Sequence, residues 1–104
     1  MTPQVFQILL SLADGPKHGY AIIADIRERT SDEMQLTAST LYDALARLAD
    51  QALIAEAAAP ADAASSDSRR RYYQLTAAGR AAAEHESSRL SRLLEMAKAK
   101  RFIA

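Results

Sequence analysis

The chain has 104 residues, which is enough for one domain with at most a small appendage. Its residues are 49% hydrophobic and 25% charged, the balance of a soluble globular protein, and the lack of cysteine excludes disulfides, a cysteine nucleophile and a cysteine-based metal site. Thirteen basic and thirteen acidic residues cancel, so any attraction to nucleic acid must come from a local basic patch rather than from bulk charge.

The first predicted element is a helix that begins at Thr2 and Pro3, with the threonine as its cap and the proline where a missing N–H costs nothing. This helix has two apolar faces. One face consists of Val5, Ile8, Leu9 and Leu12. The other consists of Phe6, Leu10 and Ala13. Because two apolar faces need two surfaces to bury them, we predict that Phe6 and Leu10 contact a partner subunit.

Two further helices follow the Asp-Gly-Pro turn at residues 14–16. The second helix is predicted from the Lys-His-Gly-Tyr segment to about Arg29, and a polar connection over residues 30–37 separates it from the third. Thr37 or Ser39 can cap the third helix. Its apolar stripe, at i, i+3, i+4 and i+7, consists of Leu41, Ala44, Leu45 and Leu48. Such a pair of helices fits a helix-turn-helix, although many small helical proteins contain two short helices in a row.

The opposite face of the third helix is polar. It consists of Ser39, Thr40, Tyr42, Asp43, Ala46 and Arg47. Hydroxyls and a guanidinium near the start of a helix suit contact with DNA phosphates and base edges. An ordinary solvated helix face is the alternative, and for Tyr42 a phosphate contact and packing on the wing are equally favoured. We take Ser39, Thr40, Tyr42 and Arg47 as candidate DNA-binding residues.

A hairpin is predicted after the third helix. Residues 53–59 form its first strand, residues 60–68 a loop rich in Ala, Ser and Asp, and residues 69–75 its return strand. The return strand opens with Arg69, Arg70 and Arg71 and continues into two tyrosines. A run of arginines is often only a solvated tract, but here it leads directly into a strand, so we take all three as candidate DNA-binding residues.

The last predicted element is a long helix capped by Thr76 and running to about Arg101. Gly79 in its first turn lowers helix propensity by ~1 kcal/mol relative to alanine, which is tolerable where another backbone approaches closely. An apolar stripe occupies its second half. The stripe consists of Leu90, Leu93, Leu94 and Ala97. Because the helix is too long for the small body of the domain to cover, we predict that this stripe lies in a homodimer interface.

Four segments in register resemble the PadR family of bacterial transcriptional regulators. They are Leu-Leu-Ser-Leu-Ala-Asp-Gly-Pro-Lys-His-Gly-Tyr at 9–20, Ser-Thr-Leu-Tyr-x-Ala-Leu-x-Arg-Leu at 39–48, Leu-Ile at 53–54 and Arg-Arg-Tyr-Tyr-x-Leu-Thr-x-x-Gly-Arg at 70–80. The resemblance covers nearly the whole chain and is to the short subgroup with a single C-terminal helix. It implies a mainly α fold with a small β-hairpin, namely a winged helix-turn-helix over residues 1–76 and a dimerisation helix over residues 77–104.

The resemblance also implies a function, which is binding of double-stranded DNA as a homodimer at an inverted repeat, with repression of transcription as the expected outcome. Three departures stand out. Asp43 replaces a common proline and brings a carboxylate near the phosphates, although Arg47 four residues later could pair with it. The tip of the wing is long, and the chain has no tryptophan to stack flat ligands.

The segment before the second helix supplies two further candidates, Lys17 and His18. A lysine beside a helix N-terminus suits an approaching phosphate, because the ammonium and the free N–H groups both attract it. His18 is a candidate for a backbone contact at the start of the helix, and a lone histidine is more often structural than a metal ligand. We expect Tyr20 and Tyr73 to pack in the core or on the wing.

Other classes of function have little support in the sequence. No apolar run approaches the length that spans a bilayer and no signal peptide opens the chain, so we expect a cytoplasmic protein without a membrane partner. Neither a nucleophile–base pair nor a phosphate-binding loop is present, and we expect no catalysis, metal or cofactor. Two alternatives remain: a winged-helix module that binds protein, and a regulator switched by a small-molecule effector in a pocket formed by Phe6, Phe102 and the leucines of the last helix.

Overall fold

Four helices and a small antiparallel sheet make up the fold, which a computed structural model describes for residues 1–61 and 70–104. The helices are α1 (Pro3–Ser11), α2 (Gly19–Arg29), α3 (Ala38–Asp50) and α4 (Ala77–Ala99). The strands are β1 (Lys17–His18), β2 (Ile54–Ala57) and β3 (Tyr72–Leu75). The predicted winged helix-turn-helix with a long last helix is confirmed.

Each helix begins with a side chain that accepts a hydrogen bond from the backbone N–H three residues later, which satisfies a donor that the helix itself leaves unpaired. The caps are Thr2, His18, Thr37 and Thr76. Thr37, and not Ser39, therefore caps α3, which leaves the Ser39 hydroxyl on the exposed face.

The sheet has the strand order β1-β3-β2, so the predicted two-stranded hairpin was incomplete. Lys17 pairs with Tyr73 and His18 with Tyr72, which makes β1 a third strand along the outer edge of β3. A strand of two residues is too short to show the alternation of apolar and polar residues from which strands are predicted. The two predicted strands are also shorter than expected, because alanines 58 and 59 are poor strand formers and arginines 70 and 71 precede the pairing.

The predicted apolar stripes of α1 and α3 meet the buried isoleucines of α2 in one core. Its buried members are Ile8, Leu9, Leu12, Ile22, Ile26, Leu36, Leu41, Leu45, Leu48, Ile54 and Tyr73. Burying a side chain such as leucine or isoleucine is worth about 1.5–3 kcal/mol, so these contacts are the main force that holds α3 against α1 and α2. The polar face of α3 is thereby turned outward.

Arg29 at the end of α2 ties that helix to α1. Its guanidinium donates to the carbonyl oxygen of Gln7 at 3.1 Å, to the buried Ser11 hydroxyl at 2.6 Å and to the Asp25 carboxylate at 3.0 Å. Burial alone would raise the pKa of Asp25, but the hydrogen bonds from Ser11 and Arg29 outweigh it and lower that pKa. These bonds fix the tilt of α2 relative to α1.

Gly79 allows α4 to approach the chain between α3 and β2. A Cβ atom at this position would lie 1.9 Å from the carbonyl oxygen of Leu53, a backbone atom that cannot move aside cheaply. The Thr76 hydroxyl also donates to the carbonyl of Ala52 at 2.6 Å. The predicted close approach of another backbone at Gly79 is confirmed.

Replacing Gly79 by alanine is therefore expected to lower the free energy of unfolding by about 3 kcal/mol, because overpacking against backbone outweighs the gain in helix propensity. Urea unfolding followed by circular dichroism measures the change. Ala78→Gly, at an exposed position of the same turn, is the matched control and should cost only ~1 kcal/mol through propensity. A Gly79→Ala protein as stable as the wild type would contradict the close approach.

Only the first half of α4 packs on the domain. Glu86 is the last residue of α4 that is fully buried, and its carboxylate accepts two hydrogen bonds from Arg89, at 2.7 and 2.8 Å. These bonds lower the pKa of Glu86 below its ordinary value. Beyond this point no residue of the helix is buried, and the chain including this helix extends 52 Å by 28 Å by 25 Å. None of the helices in the described parts of the chain is long and apolar enough to cross a membrane.

Candidate nucleic-acid interface

The exposed face of α3 carries the residues that the sequence singled out. Ser39, Thr40, Tyr42 and Arg47 are all exposed, whereas the leucines behind them are buried. Thr40 is oriented by the cap, because the Thr37 hydroxyl lies 3.0 Å from the Thr40 hydroxyl and accepts from the Thr40 backbone N–H at 3.1 Å. Two hydroxyls are therefore presented at the start of the helix, where base edges are commonly read.

Tyr42 packs against the start of α2 rather than on the wing. A Cβ at Gly19 would lie 2.6 Å from the phenolic oxygen of Tyr42, so the glycine is what makes this approach possible. The tyrosine remains 41% exposed, with its hydroxyl at the junction of α2 and α3. The contact joins the face of α3 to the segment that contains His18.

Asp43 and Arg47 do not form the ion pair that their spacing suggested. Both side chains are exposed, and among the ion pairs of residues 1–61 and 70–104 neither appears. An exposed pair four residues apart on a helix is worth only ~0.3–0.5 kcal/mol, which is little against the entropy of holding two long side chains. The carboxylate of Asp43 therefore stays on the face that the DNA hypothesis uses.

His18 connects the start of α2 to the wing. Its Nδ1 accepts a hydrogen bond from the backbone N–H of Ala21 at 3.1 Å, and its Nε2 lies 2.9 Å from a guanidinium nitrogen of Arg70. Its ring meets Tyr72 edge-on, with 5.4 Å between centroids. Lys17, by contrast, is half-buried and donates to the carbonyl of Ser11 at the end of α1. A phosphate contact by Lys17 would have to use its remaining donors.

Tyr20 lies outside the core, and its neighbour is the wing, one of the two places predicted for it. Its side chain is 61% exposed, and the guanidinium of Arg70 lies 6.0 Å from the centre of its ring. Its position two residues before Ile22 places it on the far side of α2 from the buried stripe, which is the signal that could have found it. Tyr73 is buried, as expected.

The two described arginines of the wing contact different parts of the domain. Arg70 reaches His18 and Tyr20, and Arg71 lies 3.5 Å from the Glu56 carboxylate on β2, with both of these side chains largely exposed. Arg69 lies outside the described residues. One continuous surface therefore runs from Ser39 along α3 and through the α2 start to the base of the wing. We call it the α3–wing surface.

A second exposed surface is apolar. The predicted interface residues on it are Phe6 and Ala97, both half-buried, and Leu10, Leu90, Leu93 and Leu94, which are 38–47% exposed. The sequence analysis did not include Met96 or Ile103 here, although both are large and exposed, and Phe102, which it named only for a pocket, is 80% exposed. A single chain leaves this surface in contact with water.

Comparison with known proteins gives a consistent picture. A family model described as Transcriptional regulator PadR-like family matches residues 8–85. A transcriptional regulator from Clostridium thermocellum is 26% identical with a TM-score of 0.73, over 96% of this chain and 92% of that one. A PadR family transcription regulator from hypervirulent Clostridium difficile is 27% identical with a TM-score of 0.77, over 91% and 94%.

Two further relatives extend the comparison. Bacillus subtilis PadR in complex with operator DNA shares the fold, with a TM-score of 0.66 and 21% identity over 81% of this chain and 46% of that one. An uncharacterized 37.1 kDa protein in transposon TN4556 of Streptomyces fradiae is 40% identical over 86 residues, which are 83% of this chain. The match spans about a fifth, 22%, of that longer relative.

Proposed function

Because the chain belongs to the PadR-like family of transcriptional regulators, we propose that it binds double-stranded DNA as a homodimer and represses transcription from an inverted repeat. The observation that carries the proposal is the α3–wing surface, which joins exposed hydroxyls on a helix to a pair of arginines. Bacillus subtilis PadR, which has the same fold, is solved with operator DNA. The protein acts in the cytoplasm and carries out no catalysis.

On this proposal residues 1–76 bind DNA, with α3 in the major groove. Ser39 and Thr40 face base edges, while Tyr42 and Arg47 on the flanks of α3 reach phosphates. Lys17, His18, Arg69, Arg70 and Arg71 supply the remaining contacts to the backbone. One wing arginine enters the minor groove, where a narrow groove has the most negative potential.

On this proposal Asp43 contributes to the recognition of DNA sequence. A carboxylate in the major groove is repelled by phosphates but can accept a hydrogen bond from the N4 amino group of cytosine. Because Asp43 is exposed and does not pair with Arg47, its oxygens are available for that contact. The same carboxylate favours the alternative function, a module that binds a basic protein surface and tolerates loss of Arg47 and the wing arginines.

Residues 77–104 supply the dimer in this proposal. The exposed apolar residues of α1 and α4 would bury one another across a two-fold axis, which places two α3 helices on one face of the dimer. Each would enter a major groove, with half-sites about one helical turn, roughly 34 Å, apart.

Selection of bound sequences from a random DNA pool tests the function. We expect an enriched inverted repeat for the wild type, and Ser39→Ala should change the preferred base at one position of each half-site. The expected loss of discrimination is about 1–3 kcal/mol per half-site, because one base contact is removed. Ser88→Ala, at an exposed position on α4, is the control and should select the wild-type sequence. A pool with no enrichment would favour the protein-binding module.

A further inference from the structure

Gly19 lies beneath the side chain of Tyr42, at the first position of α2. It is buried, and its backbone φ lies outside the left-handed region, so the conformation of the helix does not require a glycine. Alanine would have the higher helix propensity at such a position. The glycine is therefore explained by the space that it leaves for a neighbour.

That space is taken by a single side chain. The three heavy atoms nearest to a Cβ at Gly19 would be Oη, Cζ and Cε1 of Tyr42, at 2.6, 2.8 and 3.2 Å. The tyrosine is 41% exposed and can turn toward solvent, whereas the atom nearest to a Cβ at Gly79 is the backbone carbonyl oxygen of Leu53. A methyl group at residue 19 would therefore displace the phenol and leave the two helices in place.

Such a displacement matters for a hydrogen bond from the Tyr42 hydroxyl. Carbon and oxygen atoms that are not bonded pack about 3.5 Å apart, so the phenolic oxygen would have to move by roughly 1 Å. A hydrogen bond between two oxygens spans only about 2.5–3.0 Å. The shift would break a bond to an acceptor that other residues hold in place. In the proposed function that acceptor is a phosphate of the DNA backbone.

We propose that Gly19 is a positioning residue for DNA binding, which acts by leaving the gap that sets the Tyr42 hydroxyl against one phosphate. The inference rests on the proposed function, because it takes Tyr42 as a phosphate contact. It adds that the start of α2 contributes its shape to the α3–wing surface. The position of a side chain on α3 is thus determined by a residue of α2. An alanine at residue 19 should separate the loss of DNA binding from any loss of folding.

The first test uses no DNA. The melting temperature of the Gly19→Ala protein should stay within about 4 °C of the wild type, whereas Gly79→Ala should lower it by more than about 10 °C. In aromatic ¹H–¹³C NMR spectra, the ring of Tyr42 should shift more than those of the other three tyrosines. Ala24→Ser, at an exposed position of α2, is the control and should change neither measurement. Gly19→Ala with the stability of Gly79→Ala, or with an unmoved Tyr42 ring, would overturn the inference.

The second test measures affinity for a selected operator by fluorescence anisotropy. Gly19→Ala should weaken binding about tenfold per half-site, since one hydrogen bond to a charged group is lost. Tyr42→Phe should weaken it to a similar degree, and Gly19→Ala should add nothing to that variant. Because a tyrosine hydroxyl carries no charge, the slope of log affinity against log salt should remain that of the wild type.

The double variant shows whether Gly19 acts through Tyr42. A further tenfold loss when Gly19→Ala is added to Tyr42→Phe would overturn the inference, because Gly19 would then act through another group. A flatter salt slope would overturn it as well, since it would mean that the alanine disturbs charged contacts. So would an unchanged affinity in a Gly19→Ala protein whose Tyr42 ring has moved. A wild-type protein that selects no DNA sequence would overturn the proposed function and this role with it, even where the NMR spectra confirm the contact.

Discussion

Replacing Leu90 and Leu94 by glutamate is expected to convert the proposed dimer into monomers and to weaken binding to a two-half-site operator by about 10²–10⁴-fold. The two leucines are 38% and 47% exposed in one chain, so glutamates there leave the core of the monomer intact. In the dimer they would bury four unpaired charges at the seam, which costs several kcal/mol. Each monomer then holds only one half-site, and the advantage of two linked contacts is lost.

Sedimentation at micromolar concentration and fluorescence anisotropy with operator DNA measure the two effects. Ser88→Glu with Ser91→Glu is the matched control, because it adds the same charge at exposed polar positions of α4 and should remain dimeric. Circular dichroism should show that both double variants keep their helices. A wild-type protein that sediments only as an 11.3 kDa species would remove the dimer from the account.

Replacing Arg70 and Arg71 by alanine is the second large effect. Each phosphate contact contributes about 0.9 to the slope of log affinity against log salt, so loss of four arginines from a dimer should flatten the slope by roughly 2–4. The lower value holds if Glu56 already neutralises Arg71 across their 3.5 Å ion pair. Because phosphates are the same in every sequence, affinity should fall for all DNA and the preferred sequence should not change.

Titrations between about 50 and 200 mM salt measure that slope. Arg27→Ala with Arg92→Ala is the control: the first lies at the far end of α2 from His18 and the second on the distal half of α4, so the slope should hardly change. An unchanged slope in the Arg70/Arg71 variant would mean that the wing arginines are only a solvated run.

Much of the fold could be predicted from the sequence, because its elements repeat with clear periods and end in recognisable caps. Leucines 41, 45 and 48 are buried as their spacing on a helix required, and Thr76 caps α4 as its hydroxyl predicted. Gly79 was informative for the same reason, since a glycine in a helix costs stability unless another backbone approaches. Rules that concern residues close in sequence were sufficient wherever a single residue or one helical period determined the local structure.

The remaining features depend on contacts between distant segments. The strand β1 exists because Tyr72 and Tyr73 pair with it from more than fifty residues away, and nothing in a two-residue segment shows that. The turn of Lys17 toward Ser11 and the stacking of Arg70 near Tyr20 have the same origin. The pocket that Val5 lines from α1 and Ala44 and Arg47 line from α3 is likewise formed only when the two helices come together.

Hydroxyl-radical footprinting of the wild-type protein on a selected operator tests the central proposal most directly. We expect two protected regions on the same side of the duplex, related by a two-fold axis and centred about 10 base pairs apart, one for each α3 helix. Protection should extend outward where the wings reach the flanking backbone. A single asymmetric region bound with undiminished affinity would contradict a symmetric dimer that reads DNA with two copies of the α3–wing surface.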